Sequence, residues 1–330
     1  MINVDKLNLA LIILSFIAAC FFPFEVFLFS YAFFGPLHYL TETNWIRDKN
    51  YFVINNYWKY LVLFSAILYS LPFIILLPFW STILSEEAIS FVTNNLFVFN
   101  NVIMLFILIS AIFTLFHKTY KAFIYSFLIV LLFSLWTYNT ETYKLILGLF
   151  LPTIIHVYLF TLIFMIYGAR KKKNTFNIIN IFLVLLLPFS LIFIEVDFIN
   201  YHFSDTVKDA YLENNFHVLN ANLAQLFGVY EDLKFFFYEK VDLKIQIFIA
   251  FAYLYHYLNW FSKTTIIGWH KKISNRKGIF ILTLWLIILM TFLYDYRLGI
   301  IISIFFSISH VMYEFPLNML TIKSLFQPKE

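Results

Sequence analysis

The sequence predicts an all-α fold: a polytopic membrane helix bundle of about ten transmembrane helices with both termini on the cytoplasmic side (N-in/C-in). Three observations carry this. First, 62% of the 330 residues are hydrophobic and 13% are charged, with a mean hydropathy of +0.81. Soluble chains carry roughly half apolar and about a quarter charged residues. Second, the apolar residues gather into ten runs near the length of about 20 residues that crosses a bilayer. Third, the lysines and arginines between the runs are unevenly divided.

The runs are bounded by their charges. Leu7–Glu25 opens after Lys6. Val26–Ile46 stays apolar for most of its length and closes on Arg47 and Lys49. Trp58–Phe79 begins beside Lys59. Phe99–Leu115 and Ala122–Trp136 are shorter, and His117, Lys118 and Lys121 lie between them. Tyr143–Tyr167 closes on the basic run Arg170 to Lys173. Asn177–Ile194 follows it. Leu243–Phe261 ends at Lys263, Gly278–Tyr294 starts after Arg276 and Lys277, and Leu298–Leu320 precedes Lys323. With the N-terminus inside, 17 of the 23 basic residues fall in inner segments and six in outer ones. That asymmetry follows the positive-inside rule, and an odd number of spans would break it.

The whole chain, residues 1–330, reads as a single transmembrane domain. Its one long connection is residues 195–242, on the outer side. There Leu219, Leu223, Leu226, Phe227, Tyr230, Leu233 and Phe237 recur at helical spacing, the pattern of an amphipathic helix lying on a membrane surface. The single cysteine, Cys20, excludes an intrachain disulfide and a cysteine-based metal site. The sequence has no phosphate-binding glycine loop and no nucleic-acid motif, so no nucleic-acid partner is expected.

Ionisable side chains are costly in hydrocarbon and mark function when they occur there. The second run holds His38 and Glu42, the sixth His156, the eighth His256 with Asn259, and the tenth His310 and Glu314. All four runs are even-numbered and cross in the same direction. The histidines lie 12, 13, 13 and 12 residues past the starts of their runs. At about 1.5 Å of rise per residue, the four imidazoles share one depth near the membrane midplane. Neutral imidazole binds iron, copper and zinc, so a shared metal site at His38, His156, His256 and His310 is the expectation. Glu42 and Glu314 each follow a histidine by four residues and share its helix face. Each can act as a ligand, as an acceptor that orients a histidine, or as a catalytic base. His117, His202, His217 and His270 fall at span ends or in connections and are set aside.

This pattern admits several chemistries. One is a His-rich metal oxygenase using O₂ on an apolar small molecule or lipid drawn from the bilayer. Others are a di-metal carboxylate hydroxylase or desaturase, a zinc intramembrane hydrolase, and a proton-coupled transporter.

Four elements also resemble the Brp/Blh family of membrane β-carotene 15,15′-dioxygenases. "FGPLHYLTE" (Phe34 to Glu42) is similar to that family's Phe-Gly-x-x-His-x-x-x-Asp element, with Glu in place of Asp. "IIHVYLF" (Ile154 to Phe160) is similar to its Ile-His-Phe-Gly element. "YHYLNWFSK" (Tyr255 to Lys263) stands where the family has His-Ser-x-x-His before a basic segment. "SHVMYEF" (Ser309 to Phe315) resembles its closing Pro-His-Met-x-x-x-Asp. The elements come in the family's order and span roughly residues 33 to 316. The third carries one histidine where the family has two, with Asn259 and Tyr257 as supporting groups there. The resemblance implies Fe(II) held by histidines, O₂ as co-substrate and cleavage of a polyene at its central double bond. It also implies a place in a bacterial inner membrane.

Overall fold

The computed structural model describes residues 4–49, 56–116, 121–137, 145–172, 174–195, 201–263, 266 and 268–327. His117, Lys118, Lys173 and the predicted span start at Tyr143 lie outside them. Among the described residues the chain is all-helical, with no strand. The described helices overlap each of the ten apolar runs, though Asn56–Ile74 and Thr175–Ser190 end before the runs Trp58–Phe79 and Asn177–Ile194 do. Four helical stretches are long and apolar enough to cross a membrane: Val4–Phe21, Ile146–Lys171, Asn275–Tyr294 and Tyr296–Phe326. Asn275–Tyr294 buries only Ile281, Ile288 and Phe292 and turns Phe280, Leu286, Met290 and Leu293 outward. A helix that is apolar on its exposed face needs an apolar surrounding, so this is a membrane protein.

The chain divides into two compact units, one formed by residues 1–38 and 157–271, the other by 39–156 and 272–330. Two of the three divisions fall inside continuous helical stretches, directly after His38 and directly after His156, and the third follows Lys271.

The first unit is built around the helix Lys240–Ser262, whose buried residues cover its whole circumference from Asp242 to Trp260. Val4–Phe21 packs on it through Phe16, edge-on to Phe251 at 5.6 Å. Val4–Phe21 ends because Pro23 follows: the residue before a proline is pushed out of the helical region, and Phe22 sits at φ −138°, ψ 61°. Polar ties fix the N-terminal end. Asn174 Nδ2 donates to Asp5 Oδ2 at 2.7 Å, Asn180 Nδ2 to the Asp5 carbonyl at 2.9 Å, and Ser262 Oγ to Asn8 Oδ1 at 2.9 Å.

Within residues 195–242 the chain forms the helices Asp205–Glu213 and His217–Leu226, and the apolar repeat that begins at Leu219 stays helical only to Leu226. Gly228, at φ +72°, turns the chain there. Leu219, Ala221, Leu223 and Ala224 are buried in this unit, and Asn220 Nδ2 donates to the Asp242 carbonyl at 2.8 Å. The Asp242 carboxylate then accepts from the Phe236 backbone N–H at 2.9 Å and from Tyr230 Oη at 3.1 Å. These bonds hold residues 230–236 in a loop, which is why the apolar repeat through Phe237 does not continue as helix.

The second unit is centred on the long helix Tyr296–Phe326, packed against Asn56–Ile74, Glu86–Phe116 and Asn275–Tyr294. Tyr313 Oη donates to the Lys59 carbonyl at 3.0 Å, and Asn100 Nδ2 to the Tyr69 carbonyl at 3.3 Å. The hairpin between Asn275–Tyr294 and Tyr296–Phe326 turns on one residue, Asp295, whose Oδ1 caps the second helix by accepting from Leu298 N at 2.7 Å. Such a tight turn forces the two helices together at Gly299. A Cβ there would run into the Phe292 ring and lie 2.8 Å from the Phe292 backbone at Cα.

Among the described residues two stretches are π-helical, and both adjoin predicted ligands. Ser30–Phe34 is a π-helical turn immediately before Gly35–Lys49, which carries His38 and Glu42. Ile146–Phe160 is π-helical over 15 residues and carries His156. π-helix is rare and concentrates at functional sites, because the wider turn re-aims side chains that a regular α-helix would place elsewhere.

Candidate metal centre

In the first unit, His38 and His256 meet. Their Nε2 atoms are 3.0 Å apart, with ring centroids 4.6 Å apart and ring planes at 75°. His256 sits in the middle of Lys240–Ser262, and its Nδ1 lies 2.7 Å from Thr161 Oγ1. Aromatic rings close the pair in. Tyr257 is 5.3 Å from His38 and 5.4 Å from His256, and Trp260 is 5.6 Å from His38. Asn259 is buried and accepts a hydrogen bond from Tyr255 Oη at 3.4 Å.

In the second unit, His156 and His310 meet, with ring centroids 4.8 Å apart. His156 Nδ1 lies 2.9 Å from Glu314 Oε2. His310 Nδ1 lies 2.8 Å from the Ser307 carbonyl oxygen. A carbonyl only accepts, so Nδ1 of His310 carries the proton and Nε2 keeps its lone pair. That Nε2 is 3.9 Å from Glu42 Oε2. Tyr39 packs 5.9 Å from the same imidazole.

One ligand atom from each of His38, His156, His256 and His310 lies within 4.8 Å of every other, and all four residues are buried, between 1% and 7% exposed. Two nitrogens held at about 2.1 Å by one ion are about 3.0 Å apart at right angles and about 4.2 Å apart in opposition. The 3.0 Å between His38 and His256 matches the first value, and small side-chain movements bring the 4.8 Å limit to the second. The chemistry of the donors fits as well. Two of the four imidazoles have a hydrogen-bond partner at Nδ1, the Thr161 hydroxyl for His256 and the Ser307 carbonyl for His310. This is how metal-binding histidines are held, since a partner on one nitrogen fixes the tautomer and turns the other toward the ion. The four-histidine cluster can therefore hold a metal ion.

Each predicted histidine is in the cluster. Tyr257 lies against two of them, Glu314 behind a third and Glu42 beside the fourth. Of the histidines set aside, His202 and His270 are exposed and His217 is half-buried beside Phe235. Thr161 and the Ser307 carbonyl are additions. Thr161 gave no signal, because a threonine in an apolar helix ordinarily bonds to its own backbone, and a carbonyl's role leaves no trace in residue type.

The fold and the cluster together define a helical membrane protein with a buried cluster of four histidines that can hold a metal ion. Comparison with protein-family models, curated proteins and solved structures finds no match.

Proposed function

We propose that the protein is a membrane-embedded non-haem iron oxygenase acting on an apolar molecule dissolved in the bilayer, with oxidative cleavage of a carotenoid double bond as its reaction. The observation that carries this is the set of four buried imidazoles, two of them hydrogen-bonded at Nδ1. An all-imidazole set suits a transition metal. Four protein donors fill a tetrahedral zinc site, whereas a hydrolytic zinc needs one position open for water. A six-coordinate iron keeps positions open with the same four ligands. Glu314 lies on a histidine nitrogen, an arrangement unlike that of a carboxylate bridging two metals.

When bound, iron supplies the activation of O₂. The residues supply the rest. The four histidines would hold the ion, and Thr161 and the Ser307 carbonyl orient two of them, His256 and His310. The rings of Tyr39, Tyr257 and Trp260 keep water from the imidazoles. The resemblance of the four sequence elements to the Brp/Blh family supports the carotenoid as substrate. The ten-span, N-in/C-in arrangement in a bacterial inner membrane belongs to the same proposal and is supported by the 17-to-six division of basic residues.

Expression in carotene-producing cells tests it. The cells are expected to lose colour and accumulate retinal, and the purified protein to contain close to one iron per chain. Unchanged pigment together with stoichiometric zinc would replace the oxygenase by a hydrolase, and absence of any metal would end both.

A further inference from the structure

Residues 226–241 lie outside the ten apolar runs, yet they hold large apolar side chains outward. Leu226 and Phe227 are each 64% exposed, Leu233 57% and Phe236 50%, with Val229 at 37%. A connection standing in water gains nothing from such a display, and exposed apolar patches mark contact surfaces.

The chain holds these side chains out by its own bonding. Helix His217–Leu226 closes with the paired bonds of a Schellman turn. Val229 N donates to the Ala224 carbonyl and Gly228 N to the Gln225 carbonyl, both at 3.0 Å. Gly228 takes the left-handed conformation that this turn requires, at φ +72°. Leu226, Phe227 and Val229 therefore stand at a fixed apex, with no charged residue from 226 to 230. Further on, Asp242 ties down the Phe236 N–H and Tyr230 Oη. Phe235 and Phe237 pack against Tyr211, with ring centroids 5.5 and 5.9 Å away. Phe236, between them, is left outward.

We propose that residues 226–236 form a membrane-contact loop whose apolar side chains enter the hydrocarbon of the leaflet at which the run Asn177–Ile194 ends. In the arrangement proposed above this is the outer leaflet. The contact involves no metal and is independent of the function proposed above.

Three observations select lipid as the occupant. The first is level. Lys244 Nζ donates to the Ile192 carbonyl at 3.3 Å. Lys240, where the loop joins its helix, is four residues earlier, about 6 Å along the axis. Ile192 and Phe193 are 67% and 85% exposed, so the loop emerges within about one turn of a lipid-facing span end. Interfacial segments bury their apolar side chains about 5–10 Å deep, which is within reach from there. The second is charge. Among residues 226–241 three acids, Glu231, Asp232 and Glu239, outnumber the two lysines, Lys234 and Lys240. The loop thus has no attraction for anionic headgroups, and its contact is with hydrocarbon. The third is size. Five side chains, none more than 64% exposed, offer less than the about 800 Å² that each partner of a stable protein interface buries. A bilayer sets no such minimum.

The test uses the full-length protein with its one cysteine removed by Cys20→Ser. Phe227→Cys, Leu233→Cys and Asp209→Cys are introduced singly, the last at an exposed polar position of the helix Asp205–Glu213. Each is labelled with the fluorophore NBD and reconstituted in phosphatidylcholine vesicles. Labels at 227 and 233 are expected to emit at shorter wavelength than the label at 209. They are also expected to be quenched by a nitroxide carried high on a lipid acyl chain, and to be protected from aqueous iodide. Adding anionic lipid is expected to change none of these readings. Iodide quenching at 227 and 233 equal to that at 209, without quenching from lipid, would overturn the contact. Iodide protection without lipid quenching would overturn it too, because protein would then cover the loop. Cross-quenching between labelled copies would identify that protein as a second copy of the chain. A requirement for anionic lipid would overturn the choice of hydrocarbon as partner. Either labelled position suffices, so if one variant does not accumulate the other decides.

Discussion

His310→Ala is expected to strip the metal from the purified protein. Its Nδ1 is committed to the Ser307 carbonyl, and its Nε2 faces the cluster beside Glu42. Removing the ring deletes a donor that no neighbour replaces. The loss should exceed the roughly 10–100-fold that removal of an outer partner costs. His38→Ala, His156→Ala and His256→Ala are expected to do the same, because each contributes one of the four converging atoms. His202→Ala and His270→Ala, exposed and outside the cluster, are expected to retain full metal content. Metal analysis of the purified variants checks this. Retention of metal by all four cluster variants would remove the site.

Gly299→Leu is expected to be the most damaging substitution away from the centre. The one-residue turn at Asp295 gives the hairpin no slack. A Cβ at position 299 would already press into the Phe292 ring and lie 2.8 Å from that residue's backbone, and no rotamer change can move the backbone. Overpacking of this kind costs about 1–3 kcal/mol, and more when helices must separate. Glycine at such crossings is what lets membrane helices approach closely. Gly299→Ala should lower the thermal midpoint in detergent, and Gly299→Leu should lower it further or prevent accumulation. Phe292→Ala should relieve only part of the cost of Gly299→Ala, since the clash with the backbone of residue 292 stays. Complete rescue would show that the ring alone sets the approach.

The helices were legible in the sequence because lipid imposes its own length and composition. The run Leu243–Phe261 became Lys240–Ser262, and the turn expected after Tyr294 falls at Asp295. Phe99–Leu115 was too short by more than three turns. The helix starts at Glu86, where Glu87, Thr93 and Asn95 do not look lipid-compatible but a helix start tolerates acidic residues. The four histidines were legible because ionisable residues in apolar runs are rare and these shared one depth. The histidine each glutamate approaches was not, because the i, i+4 rule pairs each with its own helix whereas Glu42 stands 3.9 Å from His310 and Glu314 2.9 Å from His156. Neither were the π-helical turns before His38 and around His156. A shift from i→i+4 to i→i+5 bonding changes which way a side chain points without changing composition. In residues 195–242 the apolar repeat past Leu226 misled, because the Asp242 carboxylate captures Tyr230 and the Phe236 N–H and holds the chain in a loop.

The most direct measurement is X-ray absorption of the purified protein at the edge of whatever metal it carries. One ion per chain is expected, with nitrogen donors near about 2.1 Å and the outer-ring scattering of several imidazoles. A shell without imidazole scattering, or a metal content far below one per chain, would contradict it.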